Sequence, residues 1–347
     1  MLKHLRGALW LMVLTLVICC VLYPLAVLAI AKAFFANAAE GSLLDANGQP
    51  VTEPDKAVGS RLIGQPFSKD EYFQPRPSAT TPSYNAAVSA ASNYNPNNML
   101  LRARVAQALG PIVKYGSTSA KKGQPVGPDI EKWFQAWAKR HPKEEGGIVA
   151  NWADTYPSVA TAWVKTDKPY GAYVEAWQKA HPEAVKAFVR EHPDNPEPKP
   201  EDMASDFFKS YAKEHPGSWP SYAAPEGKTE KVWQHVKEGS DVQSFFFDMW
   251  RQEHADEDLE EVPADMVMAS GSGLDPHITL KNALYQLDRV AGAWAEKRKA
   301  DKDKLRQEIE SLLNDKAEAP LGGLVGVKLI NVLEVNLALR GRYESHK

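Results

Sequence analysis

The stretch GALWLMVLTLVICCVLYPLAVLAIA, residues 7–31, decides the fold class of this chain. It carries no charged side chain between Arg6 and Lys32. As an α-helix it would reach about 37 Å, which exceeds the ~30 Å hydrocarbon core of a bilayer. The alternative is a cleaved signal peptide, because Ala36-Asn37-Ala38 resembles a cleavage site, but the apolar core of a signal peptide is about 7–15 residues long. The length therefore favours an uncleaved single-pass anchor, which we assign to residues 1–35.

Basic residues flank the apolar stretch unequally. Lys3 and Arg6 precede it together with the amino terminus, whereas only Lys32 follows closely. Positive charges collect on the cytoplasmic side of a membrane span. We therefore expect the amino terminus in the cytoplasm and the soluble part outside, on the extracytoplasmic face of the cell (inner) membrane.

Length, net charge and cysteine positions limit the classes of protein to which this chain can belong. The chain has 347 residues and a formal net charge of -3, enough length for one large domain or two smaller ones. This charge balance argues against nucleic-acid binding, which needs a concentrated basic face. Cys19 and Cys20 both lie in the apolar stretch, so the soluble part contains no disulfide and must be held by its core.

The first soluble block, residues 36–116, is predicted to be rich in turns. Short strands are expected around Val51, at Arg61–Ile63 and at Tyr72–Phe73. A run of Ser, Asn, Pro and Tyr between Pro77 and Asn98 contains too many breakers for long regular structure.

The last block, residues 260–347, predicts two capped helices and a strand. Thr279 and Asp301 each precede apolar residues at helical spacing, so each is a candidate N-cap. The run Ile330–Leu339 (INVLEVNLAL) alternates apolar and other residues near its end, which predicts a strand. The two flanking blocks together predict a mixed α/β domain.

The middle block, residues 117–259, repeats a pattern of aromatic residue, aromatic residue four later, histidine four later, and then proline. Positions i, i+4 and i+8 share one helix face, and proline after the histidine ends the helix, so we predict an all-α insertion with an aromatic core. The histidines lie far apart in sequence, which favours helix-end roles over a shared metal site. The copies are Trp133-Trp137-His141-Pro142, Tyr173-Trp177-His181-Pro182, Phe207-Tyr211-His215-Pro216, Phe246-Trp250-His254 and the shortened Phe188-His192-Pro193.

The segment Met268–Ile278 (MASGSGLDPHI) is a loop of small residues leading into a capped helix. Its backbone N–H groups could hold an anion, but a tight connection whose small residues allow close packing is the interpretation we favour. Ser270 or Ser272 with Asp275 and His277 suggests a hydrolase triad. The serine lacks the G-x-S-x-G frame of such nucleophiles, so a hydrolase ranks lowest among the alternatives.

Several stretches together resemble the C subunit of the Kdp potassium-transporting ATPase, the KdpC family. The resemblance covers both sides of the middle block, so that block is an insertion and inherits no family function. Met268 and the segment Leu324–Val327 depart from the family pattern. The matching stretches are Tyr23-Pro24, Gly59–Phe67, Tyr72-Phe73, Arg76–Thr80, Tyr84–Asn93, Ala264–Ile278, Gln286, Arg289–Ala291 and Asn331–Leu339.

The resemblance implies a non-catalytic subunit of an ATP-driven, high-affinity potassium importer. Its partners would be a channel-like potassium-binding subunit, a P-type ATPase subunit and the lipid bilayer. It implies no tightly bound cofactor, although a chaperone role that raises the ATP affinity of the ATPase subunit has been described for the family. The resemblance assigns the proposed nucleotide contact to Ser270, Gly271, Ser272, Gly273, Asp275 and Gln286. We expect Trp10, Tyr23 and Pro24 of the apolar stretch to be the membrane-docking residues.

The predicted topology conflicts with the nucleotide contact, because a domain outside the cell is separated from cytoplasmic ATP. We therefore expect docking on the outer face of the channel-like subunit. The alternative function is a membrane-anchored binding domain that recognises a polymer or a protein through its aromatic insertion. Arg76 and Arg289 are expected to bond to carboxylates or backbone carbonyls, while Gln286 is left open between a loop backbone and a ligand.

Overall fold

The computed structural model describes residues 2–80, 82–141, 146–225 and 228–344. The chain divides into two compact units, the first made of Met1–Ser92 with Pro263–Lys347 and the second of Asn93–Val262. The predicted insertion, 117–259, lies inside the second unit, which begins earlier in the chain. Pro142 of the predicted repeat lies outside the described residues.

The apolar stretch forms one long helical segment. Helix α1 (Leu2–Val17) continues through a π-helical turn (Ile18–Leu22) into helix α2 (Tyr23–Phe34). Pro24 has no N–H, and its ring clashes with the carbonyl four residues earlier, so a wider turn before it relieves the clash. Segment His4–Phe34 is long and apolar enough to cross a membrane, and its most apolar part is not buried against the described chain.

A short helix and a small antiparallel sheet follow the apolar segment. The predicted strand at Val51 is confirmed, whereas Arg61–Ile63 forms a turn just after a strand. Tyr72 lies in a bend and Phe73 begins an extended segment, both outside any sheet. No helix or strand lies between residues 61 and 98 in the described chain, as the breakers there predict. The elements are α3 (Ala36–Ala39), β1 (Leu43–Leu44), β2 (Pro50–Val51), a 3-10 turn (Pro54–Lys56) and β3 (Gly59–Ser60), in sheet order β2-β1-β3.

The second unit is mostly helical but contains a β-hairpin, so the prediction of an all-α insertion is wrong. Trp219 pairs with Val236 and Ala223 with Val232 across the hairpin. The helices are α4 (Met99–Leu109), α5 (Gly127–Arg140), α6 (Gly147–Thr155), α7 (Pro157–Lys165), α8 (Lys168–Ala180), α9 (Pro182–Glu191), α10 (Ala204–Glu214) and α11 (Ser240–Glu253), with strands β4 (Trp219–Ala223) and β5 (Val232–Val236).

The repeated aromatic and histidine pattern is a helix-ending device. In four copies the histidine Nδ1–H donates to the backbone O of the aromatic residue four positions earlier, for example to Trp250 O at 2.8 Å from His254. The imidazole also stacks on that aromatic ring, with centroids 4.7 Å apart in the same pair. The bond satisfies a carbonyl that the helix end leaves free. The predicted helix-end role is confirmed, and the aromatic residues form the core of this unit.

The last part of the chain completes the first unit. Thr279 Oγ1 accepts from Asn282 N at 3.1 Å and Asp301 Oδ1 from Lys304 N at 2.7 Å, so both predicted N-caps are confirmed. Strands β6 and β7 pair antiparallel, with His277 opposite Asn331. The elements are α12 (Ala264–Val267), β6 (His277–Thr279), α13 (Leu280–Arg298), α14 (Lys302–Lys316), a 3-10 turn (Pro320–Gly323), β7 (Leu329–Asn331) and α15 (Val332–Tyr343).

The strand prediction for Ile330–Leu339 is wrong beyond its first two residues. The strand ends at Asn331, whose Oδ1 accepts from Glu334 N at 3.3 Å and so caps helix α15. This helix is buried on most of its surface, in contact with α14 and β7. A helix that is apolar all round shows no helical period, which is why the sequence pattern was ambiguous.

Candidate functional site

Arg76 fixes the start and the end of the loop formed by residues 268–277. Its Nε donates to the backbone O of Met268 at 3.4 Å and its terminal NH2 to that of Ala269 at 3.3 Å. A second terminal nitrogen lies 3.6 Å from a carboxylate oxygen of Asp275. The predicted bonds of Arg76 to carboxylates and carbonyls are confirmed.

Other backbone groups of the loop bond to the extended segments that precede it in the chain. Ser78 Oγ donates to Gly273 O at 2.7 Å, and Ala90 N to Ser272 O at 3.0 Å. Gly64 N donates to Leu274 O at 2.7 Å. The two family-like stretches around Arg76 and after Tyr84 therefore form a cradle for this loop.

The hydroxyl groups of Ser270 and Ser272 close the loop on itself. Ser270 Oγ accepts from Asp275 N at 3.4 Å, and Ser272 Oγ accepts from Leu274 N at 3.2 Å. Ser270 is buried, and its Oγ lies 3.5 Å from that of Ser272. These bonds are typical of a tight connection between a helix and a strand.

Asp275 bonds to His277 inside this loop. Oδ1 of Asp275 lies 3.1 Å from His277 Nδ1 and accepts from His277 N at 3.0 Å. Burial alone would raise the pKa of Asp275, but the bonds to His277 and the nearby Arg76 hold that pKa below its usual range. A hydrolase triad would also need a serine hydroxyl bonded to the imidazole, and among the described residues no such bond is present.

The two glycines of the loop have different surroundings. Gly273 has a φ of +69°, and a Cβ there would lie 2.6 Å from Ala90 O. Gly271 has open space around its Cα. Close approach of the cradle therefore requires glycine at 273, whereas position 271 tolerates a side chain.

Gln286 is committed to the backbone of the extended segment. Its Oε1 accepts from Gln74 N at 2.8 Å, and its Nε2 donates to Gln74 O at 3.0 Å. The side chain is 5% exposed and also bonds to Arg289 and Asn282. Of the two roles left open by the sequence, these contacts favour the satisfied loop backbone.

Asn336 makes the same pair of bonds with the backbone of Phe73, the residue before Gln74. Its Oδ1 accepts from Phe73 N and its Nδ2 donates to Phe73 O, both at 2.9 Å. Asn336 on α15 and Gln286 on α13 thus replace a neighbouring strand for residues 73 and 74. We call these two side chains the amide clamp.

A sequence model of one protein family, described as "K+-transporting ATPase, c chain" (KdpC), matches residues 5–131 and 227–341. These ranges include the anchor, the cradle, the loop and the amide clamp, and together they cover more than half of the chain. The chain belongs to the KdpC family. The range between the two matches, 132–226, lies within the second unit.

Several curated proteins named "Potassium-transporting ATPase KdpC subunit" are similar to this KdpC-family chain. The one from Caulobacter vibrioides (strain NA1000 / CB15N) is 50% identical over 106 residues, which are 30% of this chain and 50% of that protein. Those from Rhodopseudomonas palustris (strain BisB18) and Mycobacterium tuberculosis (strain CDC 1551 / Oshkosh) are 42% and 37% identical over 30% and 36% of this chain, and over 55% and 62% of their own lengths. The chain spans about half the length of the curated relatives it matches first.

Arg289 of this KdpC-family chain bonds to backbone carbonyls, as predicted. One terminal nitrogen donates to Asp70 O at 2.8 Å and to Tyr72 O at 3.1 Å. Burial lowers the pKa of its guanidinium, and the nearby Asp70 raises it in part. Arg289 therefore holds the same extended segment as the amide clamp.

Sequence reasoning missed Asn336, Asp265 and Tyr84. Asp265 is buried, and its carboxylate accepts from Thr279 N at 2.7 Å and from Thr279 Oγ1 at 3.2 Å. Tyr84 donates its hydroxyl proton to Arg76 O, and burial raises its pKa to about 12. A polar residue among apolar neighbours, as in VNLAL around Asn336, was the one available signal, because such groups are buried only when bonded.

The predicted docking residues lie on the anchor. Trp10 and Tyr23 are 65% and 66% exposed, and Pro24 is the second residue of α2, just after the π-helical turn. The described residues contain no group of three or more His, Cys, Asp or Glu side chains placed to hold a metal ion. Membrane docking and the nucleotide contact both stay predictions for their residues.

Proposed function

We propose that this chain is an accessory subunit of an ATP-driven potassium transport complex. The observation that carries the proposal is the KdpC match on both sides of the insertion, from the anchor to helix α15. Curated proteins with the same match are named subunits of a potassium-transporting ATPase. The partners would be a channel-like potassium-binding subunit and a P-type ATPase subunit.

In this proposal the anchor docks in the membrane and the soluble part lies outside the cell. Two basic residues precede the apolar segment and one follows it, which supports this orientation. The exposed surface of α1 and α2 offers an apolar face to lipid or to a partner helix. The soluble part would then dock on the outer face of the channel-like subunit.

We assign the loop of residues 268–277 a structural role rather than a catalytic one. Its serine hydroxyl groups bond within the loop and several of its carbonyls bond to the cradle, which supports this assignment. The chaperone role implied by the family resemblance is tested by Ser272→Ala in the assembled complex. Unchanged potassium-stimulated ATPase activity and unchanged dependence on ATP concentration are expected, and a raised KM for ATP would instead support a nucleotide contact.

Orientation is tested by labelling single cysteines in intact cells with a membrane-impermeant reagent. In a background with Cys19→Ala and Cys20→Ala, we would compare His4→Cys with Lys302→Cys, an exposed position at the start of α14. Labelling of Lys302→Cys alone, with His4→Cys labelled only after lysis, is the expected result. The reverse pattern contradicts the proposal.

Assembly is tested by purification through a tag on the carboxyl end. The full chain should bring down two larger membrane subunits, and deletion of residues 1–35 should abolish this association. Deletion of residues 117–259 serves as the comparison, because the family match assigns most of that block no counterpart. Retained assembly and transport in the second deletion would show that the insertion is dispensable for both.

A binding role for the insertion is favoured by one cavity of about 470 Å³ in the second unit. Arg104 lies at this cavity with its guanidinium 5.6 Å from the centre of the Tyr94 ring, and Trp163, Tyr170 and Phe245 also line it. Most of the other aromatic side chains of this unit are buried in its hydrophobic core and are not available to a ligand. If the deletion impairs transport, Ala103→Trp, which fills the cavity, should reproduce the loss.

A further inference from the structure

An exposed apolar loop lies between α14 and β7. Residues 319–327 carry no charge, and the side chains of Leu324, Val325 and Val327 are 86%, 55% and 60% exposed. We call residues 319–327 the apolar loop. Adjacent large apolar side chains with such exposure indicate an interaction surface. When the chain is alone these side chains stay in water, which is unfavourable in free energy relative to their burial against a partner.

The base of the apolar loop is firmly held. Glu318 and Leu329 exchange two backbone hydrogen bonds of 2.9 and 2.8 Å, which close the loop. Leu280 N donates to Lys328 O at 2.9 Å, so the first residue of α13 lies at the same end of the unit. The loop therefore projects from the end where α14 finishes and where α13 and α15 begin.

This end of the unit is also where the chain leaves the membrane helix. Ser42 bonds to two neighbouring stretches of the chain: its N donates to Asn37 O at 2.8 Å, and its O accepts from Arg61 N at 3.0 Å. Ser42, Arg61, Glu318 and Leu329 line one cavity of about 240 Å³. The base of the apolar loop therefore lines the same cavity as Ser42. Only the short helix α3 and the residues beside it separate Ser42 from the end of helix α2.

The opposite end of the same unit is distant from this connection. Helix α13 has 19 residues, which corresponds to about 28 Å. Its last turn contacts the end of α15, since Lys297 Nζ lies 2.9 Å from a carboxylate oxygen of Glu344. Lys302, which starts α14, lies at this distant end and provides a matched exposed reference position.

We propose that the apolar loop inserts into the interface of the bilayer that the anchor crosses, as a second membrane contact. The inference rests on the proposed function for the presence of the anchor in that bilayer. Apolar side chains at a lipid interface are buried between headgroups and acyl chains, and the exposed Lys328 beside them would lie at the level of the headgroups. The contact fixes the membrane-proximal end of the first unit against the lipid surface.

Lipid is favoured over a protein surface by the makeup of the loop. From Ala319 to Val327 the residues are three glycines and otherwise residues with aliphatic side chains, so no side chain of this loop can form a hydrogen bond. Specific protein interfaces usually add polar contacts and aromatic or arginine anchors to their apolar core. A lipid interface requires only burial of the aliphatic groups.

The test uses the full chain alone in nanodiscs of phosphatidylcholine and phosphatidylglycerol. Leu324→Cys and Lys302→Cys, each with both native cysteines replaced by alanine, would carry an environment-sensitive fluorophore, and lipids with spin labels near the headgroup would act as quenchers. We expect a blue-shifted emission and at least ~3-fold stronger quenching at Leu324→Cys. A third variant that keeps only Cys20, near the middle of the segment His4–Phe34, reports on the anchor when the spin labels are placed near the ends of the acyl chains.

Three results overturn the inference. Equal emission and quenching at positions 324 and 302, with a deeply quenched Cys20 probe, would remove the loop contact and leave the anchor intact. Shielding of position 324 only after addition of the partner subunits would assign the loop to a protein surface. An unquenched Cys20 probe would overturn the membrane anchor of the proposed function together with this inference. Because Leu324 is exposed, its replacement should not change the melting temperature, which a thermal scan checks.

Discussion

Replacement of Asn336 by alanine should release the extended segment that precedes the cradle. Asn336 is fully buried and exchanges two 2.9 Å hydrogen bonds with the backbone of Phe73, whose side chain is also fully buried. Alanine leaves a buried N–H and a buried C=O without their partner. At about 1–3 kcal/mol for each group, the local opening free energy should fall by roughly 2–6 kcal/mol. Since ~1.4 kcal/mol corresponds to a factor of ten, the amide of Phe73 should exchange at least ~30-fold faster.

Hydrogen exchange with mass spectrometry measures this effect on the full chain in detergent or nanodiscs. Peptides that cover residues 68–80 should lose protection in Asn336→Ala, while peptides of the second unit should not change. Asn314→Ala is the matched control, because this exposed side chain donates to Glu310 O within the same helix, on the surface of α14. Unchanged exchange around Phe73, or an equal change in Asn314→Ala, would refute the amide clamp.

Three further predictions concern the loop and the helix ends. Gly273→Ala should lower the melting temperature and Gly271→Ala should not. The reason is that Gly273, unlike Gly271, combines a φ of +69° with a Cβ position 2.6 Å from Ala90 O. Equal melting temperatures of the two variants would contradict the close approach of Ala90 to Gly273. His254→Ala should cost about 0.5–1.5 kcal/mol in urea unfolding through loss of the bond to the Trp250 carbonyl, whereas exposed Asp256→Ala should stay within ~0.5 kcal/mol. Because the pKa of Asp275 is lowered in the folded state, its stabilising effect is complete above the unfolded pKa of about 3.9 and is lost as the pH falls below it. Calorimetric scans should therefore show a smaller acid-induced drop in melting temperature for Asp275→Asn than for the unchanged chain, and identical slopes would contradict the lowered pKa of Asp275.

The cradle explains why the family-like stretches occur in separate parts of the chain. Arg76 and Ser78 bond to the loop of residues 268–277, and Gln286 and Asn336 bond to the segment just before Arg76. Each stretch supplies polar groups that are buried only because another stretch satisfies them. The second unit interrupts the sequence between these stretches without contributing to these bonds.

The sequence by itself determined the features that depend on neighbouring residues. A charge-free stretch of apolar residues predicts the membrane helix, because length and hydropathy suffice for that decision. The caps at Thr279 and Asp301 and the helix ends at the repeated histidines also follow from local bonds, since each donor and acceptor lies within four residues.

Tertiary structure decided the features whose partners are distant in sequence. Helix α15 was predicted as a strand, because burial on most of its sides erases the helical period that the sequence would otherwise show. The hairpin of β4 and β5 forms within a unit whose other elements are helical, and cross-strand pairs such as Trp219 with Val236 join two stretches that are separated in sequence. Gln286 and Asn336 carry no local sign of what they bond, because the backbone groups of residues 73 and 74 reach them only once the unit has folded.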